Sequence, residues 1–578
     1  MFLGGLVQRP YRTGKVDMSV PSSTLPAPAA RRPPASPPAL RRPRRSLAPA
    51  RYRVPLFALA VVLPLYWGWD AFLATGGGDL AAQYAWAGFV GRHPDTPYGL
   101  FWFGGTHTVN YSVISPHLMA LIGVRAVSVL SGVSGTWMLA MLLERTVARV
   151  SLGPALVGAL ALWYNVVLGR TTFALGLAFA LAALLAVADR APRPARLAAA
   201  ASGALFATMG SPVAGLFLLV AGAGYLVARQ YGKCLALVLP PVAVVGLTTL
   251  LFPFQGEQPM AAGRMILPVL LSAAVVWAAP REWRVVRAAA VLYAVGVVLT
   301  WLVPSPVGNN VERLALLFAP AVLLAAALHR RSRGIRHGVR RTRMRAMAVV
   351  TALSVSYLCV TSLMHLRTPD PVPGWVTHTD GVLAALDRLG ADRGRVELPT
   401  DRDHRGATLL GPHVELMRGW NQQLDVERGR LFYEGDLDGP RYHAWLRHWA
   451  VGYVVLHDGT PDRSAERETA LIKEGQDWLE PVWQDRYWKI YRVRDTLPLV
   501  SAPAELQHAG EAELTLRMPR AGTTTVRIEY SPWLRVKGAC VSADGPWTLL
   551  TVPRAGVYRL TSDYAGGPVD ERGCWLDG

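Results

Sequence analysis

A polytopic α-helical membrane body of about 11 spans, followed by an extracytoplasmic α/β unit and a β-sandwich, is the fold class this sequence predicts. Three observations predict it. Apolar runs of spanning length recur through the first two thirds of the 578 residues. The segment His329–Arg345 (HRRSRGIRHGVRRTRMR) carries eight arginines and no acid between two such runs. A block like that resists translocation and stays on the cytoplasmic side. After residue 366 the apolar runs stop, and the chain reads as an ordinary water-soluble one.

Residues 1–52 are rich in Pro, Ala and Arg and cannot bury a core, which predicts a disordered basic cytoplasmic tail. Met18 offers a second start within it. The first apolar run, Val54–Ala74, is too extended for a cleaved signal and reads as an uncleaved span. Further spans are expected at Val124–Leu143, Pro154–Gly169, Thr171–Ala188, Arg196–Met209, Pro212–Ala228, Leu235–Phe252, Met265–Ala279, Val285–Val303, Arg313–Leu328 and Ala346–His365. With the N-terminus inside, the inner connections are Glu144–Leu152, Asp189–Ala195, Arg229–Cys234, Pro280–Arg284 and His329–Arg345. Each contains Arg or Lys, while the outer connections are poor in both. The odd number of spans over 53–366 then places residues 367–578 outside the cell.

The first outer connection, 75–123, is far longer than a turn, and long loops tend to be functional. Within it Leu80–Val90 predicts a short amphipathic helix on the membrane surface, and Ile114–Ile122 an interfacial or re-entrant segment. An α/β domain is expected over 367–495, with helices at Thr377–Leu389 and Arg441–Trp449 and strands at Val396–Leu398, Gly452–Leu456 and Trp488–Val493. Over 496–578 short alternating runs (ELTLRM, TTVRIEY, LRVKG, WTLLTV, VYRLTS) predict a small β-sandwich.

The formal charge of +20 does not indicate nucleic acid. Its basic residues cluster at the ends of apolar runs and in the tail, which suits anionic lipid headgroups, and no zinc-finger or RNA-binding signature accompanies them. Cys234 and Cys359 fall in or beside apolar runs and read as small buried hydrophobes. Cys540 and Cys574 fall in the outer region, where a disulfide between them can persist.

Asp79, in GGGDLAAQ, leads the candidates for chemistry. A carboxylate just beyond the first span can take a proton from an acceptor hydroxyl or help hold a divalent metal. Asp after glycines and before a helix is equally an N-cap, the commoner role. Asp70 sits near the outer end of the first span beside Trp67 and Trp69, either facing a cavity or at headgroup level. The segment Phe101–His117 offers His107, Asn110, Tyr111 and His117 for stacking on a sugar or contacting a phosphate; each is more often structural. Arg170, Arg264 and Arg313 are basic residues on the outer side and can grip a phosphate, although Glu312–Arg313 also reads as an interfacial ion pair. Arg418–Gln423 with Tyr433, Tyr442 and Trp445 reads first as a domain core and second as a carbohydrate surface.

The N-in multi-span body, the long first outer loop bearing Asp79, and the outer C-terminal domain together resemble the GT-C superfamily of membrane glycosyltransferases. The Ala-, Arg- and Pro-rich composition also looks like that of multi-spanning actinobacterial membrane proteins. The resemblance is one of layout and covers roughly Val54 to the end. It implies transfer of a sugar from a polyprenyl-phosphate donor to a glycan or lipid acceptor of the cell envelope, in the plasma membrane. Asp79 would be the base or metal-orienting acid, and an outer arginine would bind the donor phosphate. The chain departs from many members in lacking an acidic pair in that loop. A major-facilitator-like permease is the rival from another class, disfavoured by the outer domain and by the lack of two similar halves. A non-catalytic envelope assembly protein is the third reading.

Overall fold

Each of the eleven apolar runs is helical. The computed structural model describes residues 52–147, 151–189, 191–332, 338–366 and 372–569. The tail up to residue 51 lies outside the described residues, as does Cys574, and with it the expected bridge to Cys540. Helix α1 (Arg53–Gly68) runs on as a π turn, Trp69–Leu73. The long loop contains α2 (Asp79–Arg92), α3 (Thr108–Tyr111) and α4 (Ser115–Ile122). Then come α5 (Val124–Val147), α6 (Leu152–Val167), α7 (Thr171–Ala186), α8 (Pro194–Gly210), α9 (Pro212–Val227) and α10 (Tyr231–Leu251). The helical body closes with α11 (Ala262–Ala278), α12 (Arg284–Leu302), α13 (Arg313–Ser332) and α14 (Gly338–Leu366). Six helical stretches, containing α1, α5, α10, α12, α13 and α14, are long and apolar enough to cross a membrane; α6, α7, α9 and α11 are apolar but shorter.

Arginines from α12, α13 and α14 have a structural task at the end of α11. Helix α11 leaves carbonyls unpaired at its C-terminal end, and cations are favoured there by the helix dipole. Arg287 donates to Val276 O at 2.8 Å, Arg330 to Ala278 O at 2.9 Å and Arg343 to Trp277 O at 2.9 Å. Arginines from three different helices thus cap a fourth.

The C-terminal region opens with α15 (Gly374–Thr377), α16 (Asp380–Leu389), β3 (Arg395–Glu397), α17 (Arg405–Leu410), β4 (Glu415–Leu416), α18 (Gln422–Arg428), α19 (Gly439–His448), β5 (Val451–His457), α20 (Glu466–Glu474), β6 (Leu479–Gln484) and β7 (Trp488–Val493). Its sheet has the order β4-β3-β5-β7-β6, parallel across the first three strands and antiparallel beyond. Two smaller antiparallel sheets follow, built from β8 (Glu505–Ala509), β9 (Glu513–Met518), β10 (Gly522–Glu529), β11 (Leu534–Val536), β12 (Cys540–Asp544), β13 (Trp547–Val552) and β14 (Gly556–Ser562). Their orders are β10-β13-β12 and β11-β14-β9-β8. Alternate residues such as Leu514, Leu516, Val526, Ile528, Leu550 and Leu560 fill the core between them.

The loop between α1 and α5 differs from expectation. Helix α2 has no solvated face: Leu80 and Ala87 pack into the helical body, while Trp86, Phe89 and Val90 pack into the core of the α/β sheet. An amphipathic surface helix needs a polar face, and α2 has only Asp79, Gln83 and Arg92 to make one. Beyond it a two-stranded ladder forms, β1 (Tyr98–Gly99) with β2 (Thr106–His107). Trp102 then extends the large sheet, with Leu416 N donating to Phe101 O at 3.0 Å and Phe103 N to Leu416 O at 3.1 Å. The loop is one structural tie between the helical body and the C-terminal region; the end of α10 and the segment after it form another, with Trp533 Nε1 donating to Leu251 O at 2.7 Å and Gln258 Nε2 to Gln422 Oε1 at 2.7 Å.

Candidate functional site

Three helix starts meet beside that loop. Gly78, in a left-handed conformation (φ +63°), takes the N-cap position of α2, so Asp79 becomes the first helical residue. The Asp79 carboxylate therefore does not cap the helix. It accepts a hydrogen bond from Arg170 Nε at 3.1 Å, with both side chains about one-third exposed. Arg170 directly precedes α7, after Gly169 at φ +74°. A Cβ on Gly169 would fall 2.9 Å from Leu80 Cα, so only glycine lets the α6–α7 turn close on the start of α2.

Arg313, the first residue of α13, completes the group. Its guanidinium lies over the Phe173 ring at 5.1 Å and interacts electrostatically with Arg170 and Asp79. Among the described residues it has no hydrogen-bond or ion-pair partner. Behind the charges, Thr172 Oγ1 donates to Gln83 Oε1 at 2.6 Å, and Gln83 Nε2 donates to the Tyr111 hydroxyl. Tyr111 stacks on Trp86 at 5.3 Å, and burial, ahead of its polar neighbours, raises its hydroxyl pKa. Tyr164 stands within electrostatic range of Arg170 and pairs with Thr361 of α14. One carboxylate, two guanidiniums and three positive helix ends leave the site with an excess of positive potential, suited to an anion.

Other sequence-predicted residues lie elsewhere. Arg264 pairs with Glu312 (Nε to Oε1, 2.6 Å), so the ion pair expected between neighbours 312 and 313 forms instead with Arg264 and leaves Arg313 free of it. His107 is buried between Tyr98 and Phe252, 3.2 Å from Ser531 Oγ; burial pushes its pKa down to about 3, and it is neutral. Asn110 holds Pro253 O at 3.4 Å, and His117 is exposed on α4. Asp70 is half exposed on the π turn, 4.0 Å from Arg125. Gln83, Thr172 and Phe173 were not singled out in the sequence, because uncharged side chains inside apolar helices carry no distinguishing signal there.

A second polar group is internal. Arg418 is buried, bidentate to Asp425 (2.7 and 2.9 Å) and bonded to Glu468 at 2.8 Å. Tyr442 donates to Glu468 at 2.7 Å and Tyr433 to Asp425 at 2.6 Å. Burial first, and the Glu468 charge second, push the Glu397 carboxyl well above the usual range. Tyr442 and Trp445 are core residues and Trp420 stacks on His404 at 3.7 Å, as the domain-core reading expects.

Among the described residues no three His, Cys, Asp or Glu side chains converge to hold a metal ion. Asp79 has a guanidinium on its carboxylate and no free acid beside it, so these donors do not fit a divalent cation. No curated protein matches the chain. A family model described as "Domain of unknown function (DUF8823)" matches residues 501–543, within the strand-rich C-terminal part.

Proposed function

We propose that this chain is an integral membrane glycosyltransferase that moves a sugar from a polyprenyl-phosphate donor to an extracytoplasmic envelope acceptor. The observation that carries the reading is the pairing of Asp79 with Arg170 beside the unpartnered Arg313. The free guanidinium and the remaining N–H groups of Arg170 hold the donor phosphate, and Asp79 accepts the proton of the acceptor hydroxyl. In this reading all eleven helices cross the plasma membrane, with the N-terminus inside and the C-terminal region outside. The 16 residues of α6 and of α7 rise only about 24 Å each, which recesses the turn bearing Arg170 below the outer surface. That recess, roofed by α2 and the C-terminal region, favours transfer from a lipid over uptake of a soluble solute.

Transfer by the purified full chain in lipid, assayed with a panel of radiolabelled polyprenyl-phosphate sugars, tests the reading. Asp79→Asn is expected to cut transfer by about 100-fold or more, and Arg313→Gln to raise the donor KM. Undiminished transfer by Asp79→Asn removes Asp79 from the chemistry. Absence of transfer by folded wild type from every donor overturns the enzyme reading in favour of transport or assembly.

A further inference from the structure

A cavity that does not include Asp79 opens beside the start of the glycine loop, at Gly76. The helix from Arg53 ends there in a π turn, a local widening that gathers at functional sites. Between this turn, the start of α5, Tyr84 of α2 and Val372 the surface folds into an open cavity of about 390 Å³, lined by Asp70, Phe72, Thr75, Tyr84 and Arg125.

Its polar end presents one cation and one anion side by side. Arg125 donates to Ala74 O at 2.8 Å, to Asp70 O at 3.3 Å and to the Tyr84 hydroxyl at 3.2 Å. Each terminal nitrogen keeps a second N–H. The Asp70 carboxylate is 4.0 Å from the guanidinium, too far for a hydrogen bond, and the two side chains are 47 % and 49 % exposed. The apolar end carries Phe72, edge-on to Trp67 at 5.8 Å, both exposed. Leu121 and Ile122, just before α5, are exposed too. Exposed aromatics at the end of a helix of spanning length mark the headgroup level of a bilayer.

We propose that this cavity binds the headgroup of an ethanolamine phospholipid, its phosphate on the free N–H groups of Arg125 and its ammonium on Asp70. Charge complementarity selects this occupant. A zwitterion whose phosphate and amine are joined by two carbons can meet both groups at once. A purely anionic headgroup meets the Asp70 carboxylate, and a quaternary choline has no N–H to give it. Phe72 and Val372 then lie against the first acyl carbons. This site is independent of the glycosyltransferase reading and needs only that α1 cross the bilayer.

The test is lipid retention. The full chain is reconstituted in nanodiscs holding equal ethanolamine, choline and glycerol phospholipids, extracted in mild detergent, and its bound lipids are quantified by mass spectrometry. Ethanolamine lipid is expected to be retained about fivefold over each of the others. Asp70→Asn should abolish that preference while the circular dichroism and melting curve stay those of wild type. Tyr84→Phe, which loosens Arg125, should weaken it. Equal retention of the three lipids, excess of the glycerol lipid, or an unchanged preference in Asp70→Asn would each overturn the proposal.

Discussion

At Glu415 the fold holds a carboxyl where its charge is disfavoured. Burial, only partly offset by Arg395 at 3.5 Å, lifts its pKa from the ordinary value to about 7. The same burial lowers the Arg395 guanidinium to about 10, so desolvation outweighs attraction on both partners. The native state therefore binds a proton that the unfolded chain has already released between pH 4.5 and 7. Stability should fall as pH rises through that window and level off above it, by roughly 3 kcal/mol in all. Glu397 shifts in the same direction and adds to the slope. Tryptophan-monitored thermal unfolding at pH 5 and pH 8 checks this: Glu415→Gln should melt near wild type at pH 5 and above it at pH 8. Arg418 is the opposite case, a cation that Asp425 and Glu468 both require. Its replacement by Ala leaves buried acids without a counter-charge, at a cost of about 3–5 kcal/mol. Arg418→Lys, which cannot keep the bidentate contact to Asp425, should recover only part of that in the same melts. Neither behaviour can be read from the sequence. Glu415 and Arg395 look like two surface charges in a soluble domain, and their burial depends on distant segments, Arg395 donating to Trp449 O at 2.8 Å and to Arg527 O.

Among the elements, the α6–α7 turn has a strict requirement for glycine. Arg170 reads in sequence as a one-residue outer connection, and that much was legible, because the apolar runs Pro154–Gly169 and Thr171–Ala188 leave only it between them. The partner of the turn was not, since it lies 91 positions away on α2. Gly169→Ala puts a side chain at φ +74° and drives its Cβ into the Leu80 backbone. The strain alone costs about 1–2 kcal/mol, and relief of the collision must move α7 away from α2. The expected outcome is a lower melting midpoint together with loss of the Asp79–Arg170 contact. On the proposed transferase function, transfer would then fall to the level of Arg170→Gln, with no further loss in the double variant. Additive losses would show that Gly169 acts only on stability. The strands divide in a similar way. β7 matches its sequence pattern at both ends because its apolar and polar residues alternate. β4, two residues long, and β6, interrupted by Pro481, have no such pattern and exist only because the neighbouring strands and Trp102 pair with them.

For the whole molecule, the question is what positions Asp79 between a helical body and a C-terminal region that start more than 300 residues apart. The glycine run Gly76–Gly78 lies against the C-terminal region. Gly78 N donates to Asp403 O at 2.9 Å, Arg405 Nη2 to Thr75 Oγ1 at 3.0 Å and Thr408 Oγ1 to Ala81 O at 3.0 Å. A Cβ on Gly77 would fall 2.8 Å from Arg405 Nε, so this glycine is there for the arginine. The sequence shows three glycines before an acid, and in the folded chain they form part of a close contact with Asp403 and Arg405. Because the buried Arg405 reaches across both parts, Arg405→Ala should release the loop without disturbing the helices that bear Arg170 and Arg313. Loss of a buried charge-assisted hydrogen bond is worth about 1.5–3 kcal/mol, or roughly 10- to 150-fold in local opening. Backbone hydrogen exchange over residues 74–83 should quicken by that factor while α5, α7 and the β9–β14 ladder keep their protection. If the loop stayed protected in Arg405→Ala, the C-terminal region would not be what holds Asp79, and its position would have to come from the packing of Leu80 and Ala87 in the helical body alone.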